Sequence, residues 1–368
     1  MKNIAVLFGG KSPEHDVSII TGVLTLNSLS KTEYNPIPIF VNKKGLFYTG
    51  QKLFDLDEYK NLSEKCLKAV TFLPSDNTLY EKNKNKLKSL LKISAIINCM
   101  HGGDGENGNF SGLIESLGVA LCSPDALSSA LFMDKEKTKH ALKGIGVCTL
   151  GGVAVSKASV TEREVEKLGY PLIVKPLDAG SSIGIKTANC YEELAPAISY
   201  ALKYSSIAII EPCLKDFTEI NCAVYKNALG DLVVSECEKP IGRTEILSFN
   251  DKYVSGKREF PAKITKGLSD KIKTIAKKIY SSYFSVGVIR IDFFVYGGKI
   301  YVNEVNTVPG SLAYYLFCDT LKEFSEMLTE LIKAGELRYN KKRALSYDYG
   351  SGILSGLGNK GAKRLKKN

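Results

Sequence analysis

The hydrophobic pattern begins with a short apolar run, Asn3 to Phe8, that stops at Gly9-Gly10 and is followed by Val17, Ile20, Val23 and Leu24 at helical spacing. That order predicts a strand, a glycine turn and a helix. Apolar runs at Ile37 to Val41 and Ile93 to Asn98 are each closed by turn residues, so residues 1–122 are expected to form an α/β layer around a largely parallel sheet. The last run leads into His101-Gly102-Gly103-Asp104-Gly105, at a strand's carboxyl end, where open α/β sheets hold ligands.

Ser123-Pro124-Asp125 predicts a helix start, and the helix would carry Lys135 as far as Gly144. Strands are expected at Pro171 to Pro176, leading into Asp178-Ala179-Gly180-Ser181-Ser182-Ile183-Gly184, and at Ile207 to Ile210, ending at Glu211-Pro212. Asn221 to Tyr225, Leu232 to Glu236, Val286 to Phe294 and Lys299 to Val305 read as strands of a mixed layer closed by an amphipathic helix, Thr320 to Ala334. The pattern suggests domains at 1–122, 123–213 and 214–338, then a Gly-, Ser- and Lys-rich tail, 339–368, that is loosely held.

Composition narrows the classes. Apolar residues make up 44% and charged residues 24%, which fits an ordinary globular protein. No apolar run approaches the ~20 residues that span a bilayer, so no membrane partner is expected. The nine cysteines are scattered without a CxxC pair, which fits reduced thiols in a cytoplasmic protein better than a disulfide framework or a zinc site. The net charge of +11 is spread out, with solvated concentrations at Lys82 to Lys92 and Lys363 to Lys367, and no nucleic-acid module accompanies it.

Two segments carry candidate chemistry. Arg290-Ile291-Asp292 and Glu304-Val305-Asn306 each place polar groups two residues apart, hence on one face of a strand. A strict two-residue Gly297-Gly298 turn would oppose Asp292 to residue 303 and turn Glu304 away. A bulged or odd-length hairpin is therefore expected, with Arg290 opposite Glu304 and all four groups together. Two carboxylates and an amide oxygen suit Mg²⁺ that borrows ligands from phosphates, whereas the plainer alternative is a solvated strand face. Lys175 followed by Gly180-Ser181-Ser182 could form a phosphate lid or only a turn. Gly9-Gly10-Lys11-Ser12 is not a P-loop, because the upstream glycine is replaced by Ala5, and the third glycine of a dinucleotide fingerprint is missing.

Phe8 to Ser18, His101-Gly102 with Gly105-Glu106-Asn107-Gly108, Met133-Asp134-Lys135, Val174-Lys175-Pro176 with Gly180 to Gly184, Asp251-Lys252-Tyr253, Arg290-Ile291-Asp292 and Asn303 to Gly310 together resemble, in order, the motifs of D-alanine:D-alanine ligases. The resemblance covers about residues 1 to 335. It implies an ATP-grasp fold, α/β and α+β, behind an N-terminal parallel-sheet domain. It makes Lys135, Lys175 and Lys252 the cations facing the ATP phosphates, with Ser182 donating there too, Glu211 to Leu214 the adenine hinge and Glu219 the ribose acid. Asp292, Glu304 and Asn306 would hold Mg²⁺ or Mn²⁺, two ions in all. Glu14 would bind the first substrate's ammonium, Ser181 and Tyr253 would tie down a loop, and Arg290 and Gly310 would stabilise an oxyanion. The implied partners are ATP and D-alanine, in a homodimer. One position departs: Tyr315 stands where the family has a serine that anchors the second substrate, leaving Ser311, the Tyr315 phenol or a different acceptor as the possibilities. A nucleotide-binding relative without catalysis is the remaining alternative. His101 could act directly or be a satisfied loop histidine.

Overall fold

The computed structural model describes residues 1–241 and 257–352. The first apolar run forms β1 (Asn3–Gly9), and the periodic stretch after it forms α1 (His15–Leu29). α1 lies close on β1 because Gly22 has no side chain; a Cβ there would stand 2.3 Å from Phe8 Cγ. The sheet continues through β2 (Asn35–Val41), β3 (Phe47–Thr49), β4 (Lys68–Leu73), β5 (Asp76–Asn83), β6 (Lys86–Lys92) and β7 (Ala95–Asn98), then, after α2 (Asn109–Ser116), β8 (Ala120–Leu121).

Strand order is β6-β5-β4-β3-β2-β1-β7-β8. β2, β1, β7 and β8 pair in parallel, whereas β2 through β6 pair antiparallel. The expected parallel layer is thus half of the sheet. Its other half went unread because its strands are short or polar: β6 exposes Lys86 to Ser89 outright, and the charged segment Lys82 to Lys92 is an exposed but regular hairpin arm.

The single helix expected from Ser123 to Gly144 is two, α3 (Ala126–Met133) and α4 (Lys135–Gly144). Asp134 separates them with φ −85° and ψ 108°, and its carboxylate accepts from the Lys137 N–H to cap α4. The second sheet has β9 (Val153–Val155), β10 (Leu172–Pro176), β11 (Lys186–Ala188) and β12 (Ala208–Pro212) in the order β11-β10-β12-β9. α5 (Glu162–Val165) and α6 (Leu194–Ala201) share its core.

The third sheet joins β13 (Thr218–Lys226) and β14 (Leu232–Val234) to β17 (Val288–Tyr296) and β18 (Lys299–Asn306), after the small pair β15 (Lys239–Pro240) and β16 (Arg258–Glu259) and the helix α7 (Lys266–Tyr283). Ile220, Cys222, Ile289, Ile291 and Phe293 turn one face toward Ile272, Ala276 and Ile279 of α7, which leaves the alternate residues for the other face. α8 (Leu321–Arg343) begins at a Thr320–Glu323 capping box and packs Phe324, Leu328 and Leu331 into the core of β1. It runs to Arg343 rather than Ala334: Arg338 pairs with Glu115 at 2.8 Å and Asp125 at 3.1 Å, and the Tyr339 hydroxyl donates to the Gly118 carbonyl. Among the described residues, no helix is long and apolar enough to cross a membrane.

Candidate active site

The polar face of the third sheet is set by β17 and β18. Gly297 and Gly298, at φ 56° and 72°, form a two-residue turn that pairs Tyr296 with Lys299. A bulge between Asp292 and Phe293 then shifts the register by one, opposing Asp292 to Glu304 and Arg290 to Asn306. Of the odd-length or bulged hairpins expected, the bulged one is present, but Arg290 faces Asn306 and not Glu304, because the extra residue, Asn303, is on β18 and not on the β17 side of the turn. All four groups share the face. Arg290 donates to Asp292 at both points, Nε to Oδ1 at 2.7 Å and Nη2 to Oδ2 at 2.9 Å, and Asn306 Nδ2 donates to Asp292 Oδ2 at 3.1 Å. Glu219 and Asn221 of β13 extend the face, opposite Phe294 and Asp292.

A cavity of about 390 Å³ lies over this face, a volume suited to small metabolites. Glu14, Lys135, Ser181, Glu219, Arg290, Glu304, Asn306, Gly310, Ser311 and Tyr315 line it. Glu14 sits just before α1, and the Ser181 hydroxyl donates to its carboxylate, joining residues 167 positions apart. Ser181 and Ser182 hold φ of 52° and 57°, a left-handed turn that brings their backbone to the cavity. Glu106 borders the same space. Burial, then the charge of Glu14, push its carboxyl up to about 7, against hydrogen bonds from the Gly102 and Val308 N–H groups.

A smaller cavity, about 100 Å³, adjoins it through Lys135, Ala179, Gly180, Glu219 and Glu304. Ile173, Ile185, Leu214 and Phe294 give it apolar walls, with Ser182 and Lys175 at the side. Glu211 is buried there between two cations, 2.5 Å from Lys175 Nζ and 2.5 Å from Lys139 Nζ. Burial alone would raise the Glu211 carboxyl, yet the two lysines hold it below the usual carboxylate range. Lys135 donates to the Ala179 carbonyl at 2.6 Å, and Lys175 reaches the bulged Asn303 at 3.5 Å.

The structure therefore gathers Glu14, Ser181, Arg290, Asn306, Gly310, Ser311 and Tyr315 around one space, and Lys175, Ser182, Glu211 and Leu214 around the next, with Lys135, Glu219 and Glu304 lining both; Asp292 lines neither, being buried behind Arg290 with its oxygens held by Arg290 and Asn306. Lys252 and Tyr253 lie outside the described residues. His101 stands behind the cavity, fully enclosed: its Nε2 is 2.9 Å from the Thr21 hydroxyl, and burial pushes it down to about 4. That geometry is the satisfied loop histidine. Thr21 Oγ1 also accepts from the Ser311 N–H at 3.0 Å, so this group steadies the loop after Gly310. Sequence reasoning missed Lys139, although it lies one helical turn after Lys135; Asn221, Glu238 and Arg258 gave no signal at all.

Residues 3–124 match the family described as D-ala D-ala ligase N-terminus, and residues 146–334 match D-ala D-ala ligase C-terminus. The D-alanine--D-alanine ligase of Thermosipho melanesiensis is 36% identical over 95% of this chain and 97% of its own. The crystal structure of D-alanine-D-alanine ligase from Helicobacter pylori superposes with a TM-score of 0.76 at 30% identity, covering 91% of this chain and 98% of its own. VanG D-Ala:D-Ser ligase from Enterococcus faecalis gives 0.78 at 29%, covering 91% and 99%. With two family matches along most of its length and near-complete coverage of its relatives, this chain belongs to the D-alanine–D-alanine ligase family, and its fold is ATP-grasp.

Proposed function

We propose that the protein joins two D-alanine molecules into D-alanyl-D-alanine at the expense of ATP, through an acyl phosphate, for peptidoglycan precursor synthesis. The observation that carries this reading is the convergence of Arg290, Asp292, Glu304 and Asn306 on one sheet face, across a cavity from Glu14 and Ser181. A binder of nucleotide alone has no need of that set.

Glu14, steadied by Ser181, takes the ammonium of the first D-alanine. Adenine lies in the smaller cavity against Ile173, Ile185 and Phe294, with the backbone of Glu211 to Leu214 beside it and Glu219 at the ribose. Lys135, Lys175 and Ser182 face the triphosphate, and Lys252 joins them by its motif. The carboxylates of Asp292 and Glu304 and the amide oxygen of Asn306 are hard donors that fit Mg²⁺ or Mn²⁺, and two such ions would neutralise phosphate charge during phosphoryl transfer.

The first D-alanine's carboxylate attacks the γ-phosphorus and ADP leaves. The amine of the second, as the free base, then attacks the acyl carbon; the C–O bond breaks, phosphate leaves carrying the former carboxylate oxygen, and the nitrogen gives up a proton to the departing phosphate. Arg290 and the Gly310 N–H stabilise the intervening oxyanion, where one lost donor costs ~10²-fold or more. Ser181, together with Tyr253, closes the loop that keeps water from the acyl phosphate. A cytoplasmic homodimer is the proposed setting.

Tyr315 favours one second reading, a ligase with another acceptor such as D-serine or D-lactate. Purified protein given ATP, Mg²⁺ and D-alanine is expected to release phosphate and D-alanyl-D-alanine. Phosphate without that dipeptide, but with product from D-serine, D-lactate or L-alanine, would move the reading to the other acceptor. No phosphate with any pair would leave only nucleotide binding.

A further inference from the structure

We infer that Arg258 is the residue that holds the acceptor's carboxylate, in place of a hydroxyl at position 315; the inference rests on the ligase reading above. Arg258 enters the larger cavity from β16, beside Ser311, Tyr315 and a second cation, Lys257. Its guanidinium carbon lies 4.7 Å from the centre of the Tyr315 ring and 5.3 Å from that of Phe260. The planar fork is therefore clamped against aromatic faces and has little orientational freedom left to lose on binding.

Its hydrogen bonds leave one edge open. Nη1 donates to the Tyr315 carbonyl at 3.2 Å and to Glu238 Oε1 at 3.3 Å. Among the described residues, Nε and Nη2 have no hydrogen-bond partner, and the side chain is 37% exposed. An Nε–Nη2 edge matches the two oxygens of a carboxylate. Glu238, buried and also accepting from Asn221 Nδ2 at 3.3 Å, is an acid near an anion site, but its charge is spent on fixing the closed edge of the fork.

Tyr315 sets the spacing. Its hydroxyl accepts from Arg290 Nη1 at 3.3 Å while its ring and carbonyl meet Arg258, so the phenol separates the reacting end of the cavity from the anchoring end. An acceptor with its amine at the acyl carbon and its carboxylate one carbon away spans that interval. The class selected is thus a small acid with a free α-carboxylate; an amide or ester of the same acid forfeits the two-point bond.

D-alaninamide tests this, because it has no carboxylate and can serve only as acceptor. With D-alanine as donor and both acceptors competing, kcat/KM for D-alanine over D-alaninamide is expected to fall about tenfold or more in Arg258→Gln, the usual loss when a charged hydrogen bond goes. The apparent KM for the first D-alanine should stay within twofold, since that site is built on Glu14. Arg258→Lys keeps the charge and the Glu238 pair, so it guards against loss of fold; it should lose part of the discrimination. The double variant Arg258→Gln/Glu238→Gln removes the unpaired acid and should still discriminate poorly. An unchanged ratio in the single and double variants, or equal loss of both products in Arg258→Lys, overturns the assignment. Wild-type protein that makes neither product would instead overturn the reading of D-alanine as acceptor, on which this inference rests.

Discussion

Arg290 and Asp292 stand two residues apart on β17 and form a two-point ion pair, Nε to Oδ1 at 2.7 Å and Nη2 to Oδ2 at 2.9 Å. Asp292 is 1% exposed, so this pair orients a buried carboxylate while leaving Arg290 Nη1 directed at Tyr315. In the proposed mechanism the same pair aligns a metal ligand with an oxyanion donor before substrate arrives.

Glu304, directly across from Asp292, should be indispensable to that arrangement. Glu304→Ala is expected to abolish turnover with every substrate pair, measured as phosphate release, while the unfolding midpoint stays close to that of the wild type. Measurable turnover would remove the assigned metal role.

Glu211 presents a stability prediction. It neutralises two lysines at once, and removing one partner of a buried ion pair costs about 3–5 kcal/mol. Glu211→Gln should lower the urea midpoint accordingly, and a slowly hydrolysed ATP analogue should restore part of the loss if, as proposed, its phosphates meet Lys175. An unchanged midpoint would mean that the lysines find other partners.

Much of this was legible in advance because it depends on local spacing. β1 and α1 follow from the run Asn3 to Phe8 and the helical period after it, and the period of two in Arg290–Asp292 and Glu304–Asn306 called for an odd-length or bulged hairpin. The bulge's place was not legible: it falls within β18 at Asn303 because the Gly297-Gly298 turn already closes tightly, and the partner of Arg290 changes with it. The break at Asp134 is a capping choice inside a continuous helical pattern. Arg258 and Tyr315 meet across 57 residues through a two-residue strand, a contact that no periodicity announces.

Ser181 should act on binding of the first substrate. Its hydroxyl donates to Glu14, and a hydrogen bond to a charged group is worth about 1.5–3 kcal/mol. Ser181→Ala is expected to raise the KM for the first D-alanine by roughly tenfold or more. Initial-rate analysis that separates the two D-alanine sites checks this; an effect confined to the second site would contradict it.

His101 gives a pH signature. Its folded-state pKa lies near 4, below the ordinary 6.5, so the unfolded chain binds more protons between those values and stability rises with pH across that window. The contribution is present above pH 6.5 and is lost as pH falls toward 4, on the order of 3 kcal/mol in total. His101→Gln should flatten this part of the stability profile, followed by urea unfolding at each pH. An equally steep profile in the variant would place the acid sensitivity elsewhere.

The central claim, that a D-alanine carboxylate takes the γ-phosphoryl group before the peptide bond forms, is tested most directly by isotope transfer. D-alanine labelled with heavy oxygen in its carboxylate is incubated with ATP and Mg²⁺, and the released phosphate is analysed by mass. One labelled oxygen per dipeptide formed is the predicted result. Dipeptide accompanied by unlabelled phosphate would contradict the acyl-phosphate route and the roles assigned along it.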